Sequence, residues 1–164
     1  MEPTTLSDEQ QVPPPAVVAL LNRYVHVLDG DRLEEWPALF TARCMYRITT
    51  RANVKRGFPA SIMLCETVGM LKDRVVSVQH ANVFEAHCYR HIVSNTQVIG
   101  RTGNEFRLRS NFVVYRSVSE RAPELFCMGE YLDRIVSVDG APRFAERIAV
   151  LDHSVIKNLI AIPL

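Results

Sequence analysis

The sequence predicts an α+β domain in which helices near the start of the chain cover one face of a long, curled antiparallel sheet. Three observations carry this expectation. Helical periodicity is confined to the first half of the chain. From residue 88 onward the texture is that of strands, rich in β-branched and aromatic residues. A length of 164 residues at 48% apolar composition suits one domain with a core that needs no disulfide scaffold. Helices grouped to one side of such a sheet give an α+β arrangement.

The elements follow in order. "MEPTTLSDEQQVPPP" (1–15) is polar and proline-rich, and is expected to form a flexible arm, leaving 16–164 as the domain. In "AVVALLNRYVHVLDGD", Val17, Leu20, Leu21, Tyr24, Val25 and Leu28 fall on one helical stripe, which Asp29 and Gly30 stop. In "DRLEEWPALF", Asp31 stands as an N-cap with Glu34 in the capping-box position, while Pro37 forbids a long regular helix. Leu33, Trp36, Leu39 and Phe40 of this stretch would plug the base of the core. "CMYRITTR" reads as a strand and "ANVKRGF" as a loop. "PASIMLCETVGMLKDRVVSV" reads as a second long helix, apolar nearly all round and therefore covered.

Four long strands complete the chain. "CYRHIVSNTQVIGR" is a β-branched run. "NEFRLRSNFVVYRSV" puts Phe106, Leu108, Ser110, Phe112 and Val114 on one face, with Arg107, Arg109, Asn111, Val113 and Tyr115 on the other. "ELFCMGEYLDRIVSV" is the next, Asp139-Gly140 signals a hairpin, and "RFAERIAVL" returns. The apolar tail "KNLIAIPL" is expected to dock on a partner or on the core.

Composition narrows the function. The net charge is +1, which gives no nucleic-acid footprint. Only Lys55, Lys72 and Lys157 are lysines among 19 basic residues. Arginine suits fixed, bidentate, partly buried pairs and interfaces. Cys44, Cys65, Cys88 and Cys127 form no C-x-x-C and read as reduced, small apolar residues of a cytoplasmic protein. No secretory signal is expected, and no apolar run reaches the roughly 18 residues of a membrane span.

The densest chemistry is "HCYRH" (87–91). Cys88 and His91 make C-x-x-H, half of a Rieske motif, but Cys44, Cys65 and Cys127 supply no C-x-H partner. On a strand His87, Tyr89 and His91 share one face, and His87 and His91 lie about 13 Å apart at ~3.3 Å per residue, too far to chelate one ion. Zinc would need four ligands gathered from scattered positions. No metal site is therefore expected in this chain. Nucleophile elbows, P-loops and dinucleotide fingerprints are missing. General acid–base chemistry stays open, because a curled sheet under helices forms a cone, and cones have pockets. His26, His80, His87, His91, Asp29, Glu130, Asp133 and Tyr46 could include an inward pair.

"DGDRLEEWPALFTARCMYRI" is similar to the opening of the cystatin-like cone folds, the ketosteroid-isomerase and nuclear-transport-factor type. In order and spacing, "LEEWPALFTARCMYRI", "MLKDRVVSV", "YRHIVSN", "GEYLDRI" and "RFAERIAVLDHSVI" resemble the small (beta) subunit of Rieske-type aromatic-ring-hydroxylating dioxygenases. The chain most resembles the branch acting on terephthalate and salicylate. The resemblance spans roughly residues 16 to 164. It implies a cystatin-like cone and a non-catalytic structural role in degradation of an aromatic carboxylate. The Rieske iron–sulfur cluster and mononuclear iron would sit in a partner large (alpha) subunit, in an assembly of three large and three small subunits served by a reductase. Trp36, Tyr89, Arg90, His91, Tyr131, Asp133, Glu146 and Arg147 fall in the matching blocks and are candidate interface residues, the alternative being pairing within this subunit. The rival function is a stand-alone cone-fold isomerase or dehydratase using an inward His–Asp pair.

Overall fold

The computed structural model describes residues 7, 9–80, 87–119, 121–153, 160 and 162–164. Helix α1 (Pro15–Asp29) starts on a proline at its first position, where the missing N–H costs nothing. It buries Val17, Leu20, Leu21, Tyr24, Val27 and Leu28. Val27 therefore belongs to the stripe, and Val25 sits half-buried at its margin.

The expected cap at Asp31 does not form. Asp31 turns the chain with φ +54°, and an N-cap needs extended backbone instead. The segment Leu33–Leu39 is a 3-10 helix with Pro37 inside it and no side-chain cap. It still does the predicted job: Leu33, Trp36 and Leu39 are buried.

Strand β1 (Phe40–Thr50) leads into a short helix, α2 (Arg51–Lys55), where a loop was expected. The Thr50 hydroxyl caps it by accepting the Asn53 N–H at 3.2 Å. The stretch 59–78 is not one helix. Its first part is strand β2 (Met63–Thr67), and only Val68–His80 forms helix α3. β2 pairs antiparallel with β1 through Met63/Ile48, Leu64/Arg47 and Cys65/Tyr46. Met63 and Cys65 point inward and Leu64 outward, a period of two that a short apolar run conceals. The Thr67 hydroxyl then starts α3 by accepting the Met70 N–H at 3.3 Å. Met70 and Val76 stay exposed, so α3 is covered on one side only, by Leu71, Val75 and Val78.

Strands β3 (His87–Thr102), β4 (Glu105–Val118), β5 (Glu124–Val138) and β6 (Ala141–Leu151) form an antiparallel meander. Asp139 and Gly140 make the predicted two-residue hairpin, both with positive φ. The sheet order is β2-β1-β6-β5-β4-β3. β1 and β6 pair parallel, so the sheet is mixed at that seam. The chain leaves β1, runs through β2, α3 and the meander, and returns to β1's other side.

Helices α1 and α3 and the 3-10 segment cover the inner face of this curled sheet, as the cone expectation required. The tail docks on the core of the chain itself: Ile160, Ile162 and Leu164 are all buried. Among the described residues no helix is long and apolar enough to cross a membrane.

Candidate functional site

The inner sheet face is where a cone enzyme would place its chemistry. Here one row of cross-strand neighbours runs Leu108, Asp133, Arg147, Tyr46 and Cys65 across five strands. Arg147 and Asp133 form an ion pair with both side chains sealed from solvent, Nε to Oδ1 at 3.7 Å. The Arg147 guanidinium lies 3.9 Å from the ring centres of both Tyr24 and Tyr131 and 4.7 Å from that of Phe144. The electron-rich ring faces thus replace part of the cation's lost hydration.

Burial pushes the Asp133 carboxyl up to about 6, against the pull of Arg147. It pushes the Tyr24 hydroxyl up to about 12 and holds Tyr46 and Tyr131 well above the ordinary phenol range. A carboxyl near 6 has the right basicity for proton transfer, but a base must also reach a substrate. Asp133 cannot. Its side chain is 1% exposed and faces the Arg147 guanidinium, which is itself enclosed by the Tyr24, Tyr131 and Phe144 rings.

The chain's tail fills the neighbouring space. The Tyr46 hydroxyl accepts the Leu164 N–H at 2.8 Å and donates to the Leu164 carbonyl at 3.1 Å. The Tyr24 hydroxyl donates to the same carbonyl oxygen. Trp36 stands edge-on to Tyr46 with ring centres 5.0 Å apart. The inner face therefore closes into a core with a buried ion pair at its centre.

A second buried pair joins α1 to β3. His91 Nδ1 lies 2.6 Å from Asp29 Oδ1, and since an ionised carboxylate only accepts, the imidazole donates. The His91 backbone N–H donates to both Asp29 oxygens, at 3.0 and 3.2 Å. This is an inward His–Asp pair of the kind the rival function needs. Its geometry serves as a clamp, because both carboxylate oxygens are occupied, the His91 side chain is 0% exposed, and its Nε2 is enclosed. The pair ties the end of α1 to edge strand β3.

"HCYRH" is the strand that alternation predicted. Tyr89 and His91 face inward, ring centres 6.2 Å apart, while Cys88 and Arg90 face out. Of the candidate interface residues, Trp36, Tyr89, His91, Tyr131, Asp133 and Arg147 are buried in contacts within the chain. Arg90, 73% exposed, points outward, and Glu146 is half-exposed and pairs with Arg134 at 3.5 Å. Among the described residues no three His, Cys, Asp or Glu side chains cluster so as to hold a metal ion. Sequence reasoning missed the role of Tyr24 and the tail contact with Leu164. Alternation placed Tyr115 outward, but sequence reasoning gave no role to the outward apolar set Ile92, Tyr115, Leu125 and Met128, which only the strand pairing brings together.

Comparison with known proteins gives one answer. The sequence model of a family described as "Ring hydroxylating beta subunit" matches residues 23–158. The chain is 36% identical over 148 residues to the anthranilate 1,2-dioxygenase small subunit of Burkholderia cepacia, covering 90% of this chain and 92% of that one. It is equally 36% identical over 148 residues to the terephthalate 1,2-dioxygenase terminal oxygenase component subunit beta 1 of Comamonas sp, covering 90% and 96%. A crystal structure described as the beta subunit of an aromatic-ring-hydroxylating dioxygenase from Novosphingobium aromaticivorans superposes with a TM-score of 0.83 at 34% identity, over 91% of this chain and 95% of that one. A scytalone dehydratase-type structure from the same organism, at 21% identity and a TM-score of 0.66, shares the fold alone. The chain belongs to the ring hydroxylating beta subunit family, the small subunits of aromatic-ring dioxygenases.

Proposed function

We propose that this chain is a structural, non-catalytic subunit that supports the iron-bearing large subunits of a multicomponent dioxygenase. The single observation that carries this reading is the closed inner face. The Asp133–Arg147 pair, its aromatic shell and Leu164 occupy the place where a cone enzyme keeps its pocket. The Rieske cluster and mononuclear iron then belong to the large subunit, with three large and three small subunits per assembly and a reductase supplying electrons. Two relatives are named for anthranilate and terephthalate, both aromatic carboxylates, which supports that class as the substrate of the assembly. A cytoplasmic location follows from the same assignment.

Co-expression with the cognate large subunit tests the reading. The two chains should co-purify in equal amounts, and the isolated small subunit should be colourless and inactive. A pair that never associates contradicts it. Turnover of a small cyclic substrate by the isolated chain, abolished by His91→Ala, would support the isomerase or dehydratase instead.

A further inference from the structure

We infer that the outward sheet face at the β3–β4–β5 end is the surface on which the large subunit docks, an inference that rests on the small-subunit reading above. Two rows of cross-strand neighbours build this surface. One runs Ile92, Val113 and Met128, the other Arg90, Tyr115 and Leu125. Residues directly opposite on neighbouring strands touch, so these side chains form one continuous patch. Its four large apolar members, Ile92, Tyr115, Leu125 and Met128, are 40–53% exposed. A contiguous apolar patch marks an interaction site, whereas single exposed apolar residues do not. The patch reaches β3, a 16-residue strand at the edge of the sheet. Long edges of this kind are normally covered.

Charge selects the occupant. Arg90 stands at one end of the apolar rows, and Arg109 lies two rows beyond the other end, past Asn111 and Glu130; both arginines are exposed. Among the described residues the carboxylate nearest Arg90 is Asp29, 3.9 Å away and already engaged by His91. Arg109 makes no ion pair among the described residues. Glu124, at the end of the patch, is held by Arg116 at 3.2 Å, and Glu130 on the next row is half-buried. A second copy of this chain, meeting the patch with the same patch, would set arginine against arginine. A different protein surface, apolar at its centre and carboxylate-bearing at its rim, complements it. Within the small-subunit reading that surface is the large subunit's.

The chain carries its own reporter. Of its four cysteines, Cys44, Cys65 and Cys127 are buried, while Cys88 is exposed and lies on this outward face two residues from Arg90. Iodoacetamide should alkylate Cys88 readily in the isolated chain and ~tenfold or more slowly in the co-purified complex, because thiol reactivity follows access. Alkylation at the same rate in both overturns the proposal. Slowing in the isolated chain as its concentration rises, with no further slowing in the complex, also overturns it, by assigning the patch to a second copy. Independently, Ile92→Glu and Met128→Glu should fold as the unsubstituted chain does, since both sites are exposed. Each should weaken co-purification on the order of a hundredfold, because a docked carboxylate would be buried without a partner. Val76→Glu, exposed on α3, should leave association unchanged. Co-purification of both patch variants at the unsubstituted ratio overturns the assignment. Failure of the unsubstituted chain to co-purify overturns the small-subunit reading itself, which keeps the two failures distinct.

Discussion

Replacing Arg147 by methionine is the sharpest probe of the closed inner face. Methionine keeps much of the aliphatic volume, so packing is largely preserved and the charge is what changes. Two losses follow. Asp133, fully buried and 3.7 Å from the guanidinium, loses the cation that balances it. Removing one partner of a buried ion pair costs ~3–5 kcal/mol. The contacts to Tyr24 and Tyr131 at 3.9 Å each also go, and a desolvated cation–π contact is worth about 2 kcal/mol, part of which overlaps the first figure. The expected destabilisation at neutral pH is therefore about 3–5 kcal/mol. The double substitution Arg147→Met with Asp133→Leu should recover most of this, landing within ~2 kcal/mol of the unsubstituted chain or above it, because neither charge then needs hydration. Urea unfolding followed by the fluorescence of Trp36, buried beside Tyr46, reads both values. The single variant should also recover stability as pH falls, because protonation removes the stranded charge. A loss below about 1 kcal/mol for Arg147→Met, or a double variant as unstable as the single one, would show that the pair is not a coupled, dry core element.

Other perturbations report on separate parts of the fold. In the unsubstituted chain the Asp133 carboxyl is raised from 3.8 to about 6, so the folded state binds that proton more tightly than the unfolded state. Its contribution to stability is full below about 3.8 and is lost as pH rises through about 6, on the order of 3 kcal/mol in all. The pH dependence of unfolding in Asp133→Asn should lack that component. Asp29→Ala should cost ~3 kcal/mol, because it leaves the His91 N–H and imidazole without their acceptor, and should speed amide exchange at the end of α1. Gly129→Ala should abolish folding at ordinary temperature, since a Cβ there would lie 2.0 Å from the Val150 carbonyl oxygen, a backbone atom that cannot step aside. A melting curve or the yield of folded protein checks it. In the folded chain one thiol, Cys88, should react quickly with a disulfide reagent, while burial holds Cys44 and Cys127 up to about 11 and 12. Four thiols should react in urea.

Much of the fold was legible because its elements repeat a simple period. Residues 106–114 alternate strictly, and every inward position read from that alternation after Phe106 is buried. Asp139-Gly140 carries its turn chemistry in the residue names. β2 was not legible, because five residues between a proline-led loop and a helix fit either period, and only pairing with β1 decides. The candidate residues divide for a related reason. Asp133 and Arg147 stand out as polar residues in strands, but their partnership depends on β5–β6 register, which a single sequence does not print. They became interface candidates because a buried arginine and an interfacial arginine look alike in sequence. Arg90 could be placed outward by alternation alone, and its apolar neighbours on β4 and β5 required the sheet order. The tail's destination was undecided for the same reason, and Tyr24 and Tyr46 settle it by binding Leu164.

The central claim is that this subunit supports a dioxygenase without holding its chemistry. Native mass spectrometry of the co-expressed large and small subunits, with subunits released in the gas phase, tests it most directly. Intact complexes should contain equal numbers of the two chains, and every released small subunit should carry its bare polypeptide mass while iron and sulfide stay with the large one. Iron retained on released small subunits, or large subunits that assemble fully and hold activity without this chain, would contradict it.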